Sequence, residues 1–123
     1  MQMTMQQLVA EARSRIREIS VAELDQHHAP DTVLIDVREP DEFAAGHIPG
    51  SLNIPRGVLE AEVSPVPEMG GETAAVLADR DRPLCLYCRT GGRSALAADA
   101  LQKMGFSRVV SLAGGYAAWC QQR

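Results

Sequence analysis

The sequence has few aromatic residues, no excess of basic residues and no long apolar run. Phe, Tyr and Trp make up 4% of its 123 residues, so the core must be built mainly from Ala, Val, Leu and Ile. The net charge of −4 gives no electrostatic basis for binding nucleic acid or an anionic membrane surface. No apolar stretch approaches the roughly 20 residues that span a bilayer. We therefore expect a globular protein with neither nucleic acid nor membrane as a partner.

Cysteine is also scarce, and no export signal is recognisable. Three cysteines are an odd number, so no disulfide framework is implied. Residues 1–10 lack a basic region followed by an apolar stretch, which is the pattern of a secretory signal. These features predict a cytoplasmic protein, and the length predicts one domain with a real core.

Short apolar runs alternate with helical patterns along the chain, which predicts an α/β sandwich around a parallel sheet. The run at 32–38 is nearly continuous and indicates an interior strand. The run at 51–55 carries a proline and indicates an edge strand. Further strands are predicted at 84–87, 108–112 and briefly at 19–20, a surface loop at 64–71, and helices at 21–27, 40–45, 56–63, 72–79, after residue 91 until Gly105, and after Gly115.

The N-terminal segment has its own amphipathic pattern. Leu8, Val9, Ala12, Ile16 and Ile19 fall on one helical face, which predicts a helix of about three to four turns. This helix either packs on its own domain or forms a dimer contact, so a monomer and a homodimer both stay open. We divide the chain into an extension at 1–18 and a domain at 19–123.

The segment Cys88-Arg-Thr-Gly-Gly-Arg-Ser joins the strand at 84–87 to the long helix. A helix start presents unpaired N–H groups and the positive end of the helix dipole. Gly91 and Gly92 allow the loop to curl so that successive amides point inward as an anion-binding nest. Arg89 and Arg93 add positive charge, so the pKa of the Cys88 thiol should lie below its ordinary value of about 8.5. The loop predicts a reactive thiolate and a bound anion.

Charged residues also follow the strand at 32–38. Ligands bind beyond the carboxyl ends of parallel strands, and both Asp36 and Cys88 lie at such ends. We therefore expect Asp36, Arg38 and Glu42 to support the loop. Arg93 either contacts the substrate or pairs with an acid such as Asp36 or Glu42.

Several stretches together resemble the single-domain rhodaneses. They are DVREPDEF at 36–43, GHIPGSLNIP at 46–55, CRTGGRS at 88–94, LAGG at 112–115 and Trp119. The resemblance implies a three-layer α/β/α sandwich around a five-stranded parallel sheet. It also implies that Cys88 accepts a sulfane sulfur as a persulfide and passes it to a nucleophile, without a metal or an organic cofactor.

The implied donor is a small anion such as thiosulfate or another persulfide, and the acceptor is cyanide or a thiol, including a protein thiol. The thiolate attacks the outer sulfur of the donor, and the loop amides stabilise the persulfide anion. The substrate-binding residues implied in this way are Arg89, Thr90, Gly91, Gly92, Arg93 and Ser94.

Two other functions remain open at this stage. Relatives of the fold that act as phosphatases or arsenate reductases have five residues between Cys and Arg, whereas four separate Cys88 from Arg93. A rhodanese domain can also serve protein recognition alone. Cys85 forms a CxxC spacing with Cys88, but its place within an apolar strand favours a core thiol over a resolving cysteine, and Cys120 is expected to be inert.

Overall fold

The computed structural model describes residues 2–64 and 77–123, and over these residues it shows the predicted five-stranded parallel sheet. The strand order is β1-β5-β4-β2-β3. The strands are β1 (Arg17–Ile19), β2 (Val33–Asp36), β3 (Leu52–Asn53), β4 (Leu84–Tyr87) and β5 (Val109–Leu112). The helices are α1 (Met5–Arg13), α2 (Val21–His27), α3 (Pro40–Ala45), α4 (Leu59–Val63), α5 (Gly92–Lys103) and α6 (Gly115–Gln121), with a 3-10 turn at Arg56–Val58 before α4.

Strand β4 lies at the centre of the sheet because it is apolar throughout. All four of its residues are buried. Leu84 is paired with Val33 of β2 on one side and with Val109 of β5 on the other. The chain leaves β4 at the carboxyl edge of the sheet, where Cys88 follows.

Each face of the sheet is covered by helices, which gives the predicted three layers. One face packs against α4 and α5, and the other packs against α2 and α6. The first cluster includes Ile35, Leu59, Leu86, Ala97, Leu101 and Phe106. The second includes Ile19, Leu24, Cys85, Tyr87, Leu112 and the half-buried Trp119.

The N-terminal helix is shorter than the amphipathic pattern predicts. It ends at Arg13, and the hydroxyl of Ser14 donates to the Glu11 carbonyl just beyond it. Ile19, which the amphipathic pattern places on the helix face, lies instead in β1, where Arg17–Ile19 is paired with β5, so the strand predicted at 19–20 begins two residues earlier and ends at Ile19. Leu8 is 43% exposed instead of buried.

Helix α1 packs on its own domain. Val9 and Ala12 form a small buried cluster with Ala95 of α5. The structure thus favours packing in cis for this helix. The domain boundary at 18/19 stays a prediction. In the structure it falls inside β1, which runs from Arg17 to Ile19.

The remaining elements follow the predicted order with two differences. The helix predicted at 56–63 begins as a 3-10 turn, and Val58 leaves helical geometry between its two parts. The helix at 72–79 and the loop at 64–71 fall largely outside the described residues. Ser20 and Glu23 form a capping box at the start of α2, Pro40 begins α3, and β3 is the edge strand as predicted. Within the described ranges, every helix is too short or too polar to cross a bilayer.

Candidate active site

Cys88 is the first residue after the central strand, and α5 begins four residues later at Gly92. Its side chain is almost completely buried, with 1% of the residue exposed. The thiol is therefore held between the carboxyl end of β4 and the amino end of α5. This is the place at which the residue pattern predicts a reactive cysteine.

Two backbone N–H groups donate to the sulfur of Cys88, and one hydroxyl lies beside it. The Gly91 N–H donates to Sγ at 3.1 Å and the Ser94 N–H donates at 3.5 Å. The Ser94 hydroxyl oxygen lies 3.6 Å from Sγ. Burial raises the pKa of Cys88, but the hydrogen bonds from Ser94, Gly91 and the Thr90 backbone outweigh it, so the pKa lies below its ordinary value. The site stabilises a thiolate mainly through fixed backbone dipoles.

Only one of the two loop glycines uses its conformational freedom. Gly91 has φ = +112°, a backbone angle that residues with a Cβ adopt only with strain. Gly92 is an ordinary first residue of α5 without a positive φ. A Cβ on Gly92 would lie 3.7 Å from Val9 Cγ2 and 3.9 Å from Met5 Cε, so this glycine lies against α1.

The start of α6 holds the loop from behind. The Tyr116 N–H donates to the Cys88 carbonyl at 2.8 Å, and the Ala117 N–H donates to the Arg89 carbonyl at 3.0 Å. Gly115 makes this approach possible, since a Cβ there would lie 2.5 Å from the Cys88 carbonyl oxygen. Because these carbonyls are bound to α6, the following amides are free to face the sulfur.

The two loop arginines have different surroundings. Arg93 is half-buried and forms two hydrogen bonds with Glu42, at 2.8 and 3.2 Å. The Arg93 guanidinium, assisted by the Glu39 N–H, lowers the pKa of Glu42 to about 2. Arg89 is exposed, as is Thr90, and no described residue forms an ion pair with Arg89. Of the two alternatives for Arg93, the geometry shows the pairing with an acid.

Asp36 and Arg38 form a buried ion pair at the carboxyl end of β2. Asp36 is fully buried, and its Oδ2 accepts from Arg38 Nη2 at 2.6 Å. The same Nη2 donates to the Gly46 carbonyl at 2.7 Å. The Arg38 guanidinium carbon lies 4.4 Å from the ring centre of Tyr116. The pair therefore supports α6, and through α6 the loop.

Residue patterns alone did not identify two groups at the site. The first is Ser111, which is buried in β5. Its hydroxyl oxygen is 2.8 Å from the hydroxyl oxygen of Ser94. The Gly114-Gly115 pair predicts only a turn, whereas Gly115 is also the point where α6 meets the loop. Ser111 could have been found as the polar residue inside the apolar strand Val109–Leu112. Gly115 could have been found as part of a Gly-Gly pair directly before a helix.

The other two cysteines lie outside this arrangement. Cys85 is fully buried within β4, and burial raises the pKa of its thiol to about 12. Cys120 is exposed on α6. Cys85 is thus an unreactive core thiol, as its position in an apolar strand predicts.

A buried cysteine at the carboxyl end of the central strand, facing amides at a helix start, is the arrangement expected of an α/β protein that uses a thiolate for group transfer. The family model described as "Rhodanese-like domain" matches residues 20–122. The chain belongs to this rhodanese-like family, which confirms the resemblance found in the residues.

Three similar proteins illustrate the range of the family. A sulfurtransferase of Allochromatium vinosum is 34% identical over 108 residues, which are 86% of this chain and 90% of that protein. The thiosulfate sulfurtransferase GlpE of Ectopseudomonas mendocina is 33% identical over 106 residues, 86% of each chain. A solved structure from Rhodopseudomonas palustris, described as a protein of unknown function and possible tyrosine phosphatase, is 32% identical with a TM-score of 0.86 and covers 99% of this chain and 92% of its own.

Proposed function

We propose that this protein is a sulfurtransferase in which Cys88 carries a sulfane sulfur from thiosulfate, or from another persulfide donor, to a thiol or to cyanide. The observation that carries the proposal is the set of donors aimed at one sulfur atom: the N–H groups of Gly91 and Ser94 and the hydroxyl of Ser94. The names of the relatives in Allochromatium and Ectopseudomonas support the same chemistry.

In the first half-reaction the Cys88 thiolate attacks the outer sulfur of the donor. A bond forms between Sγ and that sulfur, the sulfur–sulfur bond of thiosulfate breaks, and sulfite leaves with the bonding electron pair. The product Cys88–S–S⁻ keeps one negative charge. The loop amides that stabilise the thiolate are suited to this anion as well, which lowers the barrier to its formation.

In the second half-reaction the acceptor removes the sulfur. A thiolate or cyanide attacks the outer sulfur, and Cys88 leaves as the thiolate, so the enzyme returns to its starting state without an external oxidant or reductant. Two half-reactions through a covalent intermediate give ping-pong kinetics. Exposed Arg89 is placed to attract an anionic donor, while Arg93 keeps the loop in shape through Glu42.

The description of the Rhodopseudomonas structure favours a phosphatase as the second candidate. Two features of this chain argue for sulfur instead. Four residues separate Cys88 from Arg93, one fewer than in the loops of phosphatases. The Arg93 guanidinium is bound to Glu42 through both terminal nitrogens, whereas a phosphoryl group needs donors on three oxygens in its transition state.

Intact-mass spectrometry after incubation with thiosulfate tests the proposal directly. We expect a gain of about 32 Da, one sulfur atom, that disappears when cyanide is added, because the persulfide is the covalent intermediate. The matched pair of variants is Cys88→Ser, which should neither gain sulfur nor turn over, and Cys85→Ala, which should do both.

The competing functions give different results in the same experiment. Hydrolysis of an aryl phosphate by the unmodified protein, with no sulfur on Cys88, would support the phosphatase. Neither sulfur uptake nor hydrolysis would indicate a recognition domain. Sulfur uptake that survives Cys88→Ser would reject the assignment of the nucleophile.

A further inference from the structure

A second buried serine lies behind the thiol. Ser111 of β5 is 0% exposed, and its hydroxyl oxygen lies 2.8 Å from that of Ser94. Ser94, also 0% exposed, has its hydroxyl oxygen 3.6 Å from the sulfur of Cys88. The three side chains are in successive contact, from Ser111 in the sheet through Ser94 to the Cys88 sulfur.

The direction of the hydrogen bonds in this series follows from what each hydroxyl can reach. Among the described residues, Ser94 provides the hydrogen-bond partner of the Ser111 hydroxyl, and no other does. A buried O–H without an acceptor is costly, so Ser111 donates its proton to Ser94. The proton of Ser94 then has two acceptors, the Gly91 carbonyl at 3.3 Å and the Cys88 sulfur.

Two effects direct the Ser94 proton to the sulfur once the thiol has ionised. A hydroxyl that accepts a hydrogen bond becomes a stronger donor, because hydrogen bonds in a chain polarise one another. A thiolate is a charged acceptor and competes well against a neutral carbonyl. We infer that Ser111 is a positioning residue, which orients the Ser94 hydroxyl toward the Cys88 sulfur and so stabilises the thiolate. The inference rests on the proposed function only in taking Cys88 as the nucleophile.

Charged groups around the thiol act separately from this pair of serines. Arg93 of α5 is bound to Glu42 of α3. Arg13 of α1 lies against the loop, with Nη2 3.4 Å from the position of a Cβ on Gly91. Asp36 of β2 is held by Arg38. In the described part of the chain none of these groups hydrogen-bonds to either serine hydroxyl, so an effect of Ser111 must pass through Ser94.

The pH profile of Cys88 alkylation by iodoacetamide tests the inference, with modification measured by mass spectrometry of the Cys88 peptide. Alkylation follows the thiolate fraction, so a raised pKa moves the profile to higher pH. One pH unit below the wild-type midpoint, we expect Ser94→Ala to lower the rate about tenfold and Ser111→Ala about threefold. The double variant should match Ser94→Ala alone.

Three comparisons decide the outcome. Ser107→Ala is the matched control and should leave the profile unchanged. The exposed Ser107 precedes β5, at the opposite edge of the sheet from Cys88, and donates a hydrogen bond to Asp81. Ser111→Thr retains the hydroxyl and should restore the wild-type midpoint even if Ser111→Ala folds poorly. An unchanged midpoint in folded Ser111→Ala, or shifts that add in the double variant, would overturn the inference.

This measurement is independent of sulfur transfer. Alkylation requires no sulfur donor or acceptor, so the shift in the profile can be observed even if no persulfide forms. A shift without sulfur uptake would reject the proposed function and keep the role of Ser111. Sulfur uptake without a shift would do the reverse.

Discussion

Cys85 and Cys88 lie three residues apart, and both are buried, with 0% and 1% of their surface exposed. Their acidities nevertheless move in opposite directions. Burial raises the pKa of Cys85 to about 12. Burial also acts on Cys88, but the donors of Gly91 and Ser94 reverse its effect.

The two thiols thus differ in their hydrogen-bond donors and not in their exposure. Cys85 lies within β4, where the strand amides are used by the neighbouring strands. Cys88 lies one residue beyond the strand, where the chain turns and its amides have no strand to pair with. These amides have no strand carbonyl as an acceptor, and the Cys88 sulfur accepts from them instead. A thiolate accepts such hydrogen bonds more strongly than a neutral thiol does, so the pKa of Cys88 falls.

Removing the support from α6 should reduce this contrast most strongly. Gly115→Ala places a Cβ within 2.7 Å of backbone atoms of Cys88 and Arg89, at a φ of +58°. The loop must shift, so the N–H groups of Gly91 and Ser94 no longer point at the Cys88 sulfur. We expect sulfur transfer to fall at least about tenfold and the free energy of unfolding to fall by about 2 kcal/mol or more. Steady-state kinetics and urea denaturation measure the two effects.

Gly50→Ala is the control for backbone strain alone. Gly50 has a φ of +84°, but among the described residues no heavy atom lies within 4 Å of a Cβ placed there. This variant should lose stability by about 1 kcal/mol and keep its activity. Equal losses of activity in both variants would mean that strain, and not the position of the loop, explains the effect of Gly115→Ala.

A charge substitution separates the effect of the exposed charge on the loop from that of its backbone dipoles. Arg89→Ala should raise the KM for thiosulfate by roughly tenfold with little change in kcat, because exposed Arg89 attracts the dianion but does not touch the sulfur in this structure. The effect should shrink with added salt, since the charge is accessible to solvent.

Arg108→Ala removes the same charge from the opposite edge of the sheet and serves as its control. We expect no change in KM in that variant. If Arg89→Ala lowers kcat to the same extent at low and at high salt, Arg89 stabilises the loop itself, and the contrast between charge and dipole fails.

A change with no expected effect on activity at neutral pH concerns Cys85 and alkaline stability. The pKa of Cys85 is raised in the folded state, so its contribution to stability is complete below about pH 8.5 and is lost as the pH rises toward 12. Over this range the wild-type protein should lose about 1.4 kcal/mol per pH unit more than Cys85→Ala does. The depressed pKa of Cys88 acts only below about pH 8.5 and does not obscure the slope.

Urea denaturation under reducing conditions between pH 9 and 10.5 measures this slope. Ser107→Ala, which removes no group that titrates in this range, is the matched control and should keep the wild-type slope. Parallel curves for wild type and Cys85→Ala would show that the thiol of Cys85 ionises without unfolding of the strand.

Much of the fold is predictable because its signals are local. The short apolar run at Leu84–Tyr87, which follows Pro83, predicts a buried strand, and Pro40 and Gly46 mark the two ends of α3. Strand β1 was harder to delimit, since Arg17 and Glu18 are polar and become strand residues through pairing with β5, about 90 residues further along the chain. Such pairing leaves no mark in a window of neighbouring residues.

The candidate site divides in the same way. The residues of 88–94 are contiguous, so their chemistry could be read together. The partner of Arg93 could not be chosen between Asp36 and Glu42, because the choice depends on Arg38 already occupying Asp36. Ser111 and Gly115 belong to the site only through the packing of β5 and α6, which bring them to residues 88–94 from elsewhere in the sequence.

The reactive loop lies in the later middle of the chain, yet segments near both ends complete it. Met5 and Val9 of α1 lie against Gly92, and Tyr116 and Ala117 of α6 bind the carbonyls of Cys88 and Arg89. During synthesis, Cys88 therefore leaves the ribosome well before the helix that shapes its surroundings. Until α6 is formed and docked, the carbonyls of Cys88 and Arg89 lack these N–H partners, so the surroundings of the thiol depend on a helix that is synthesised after it.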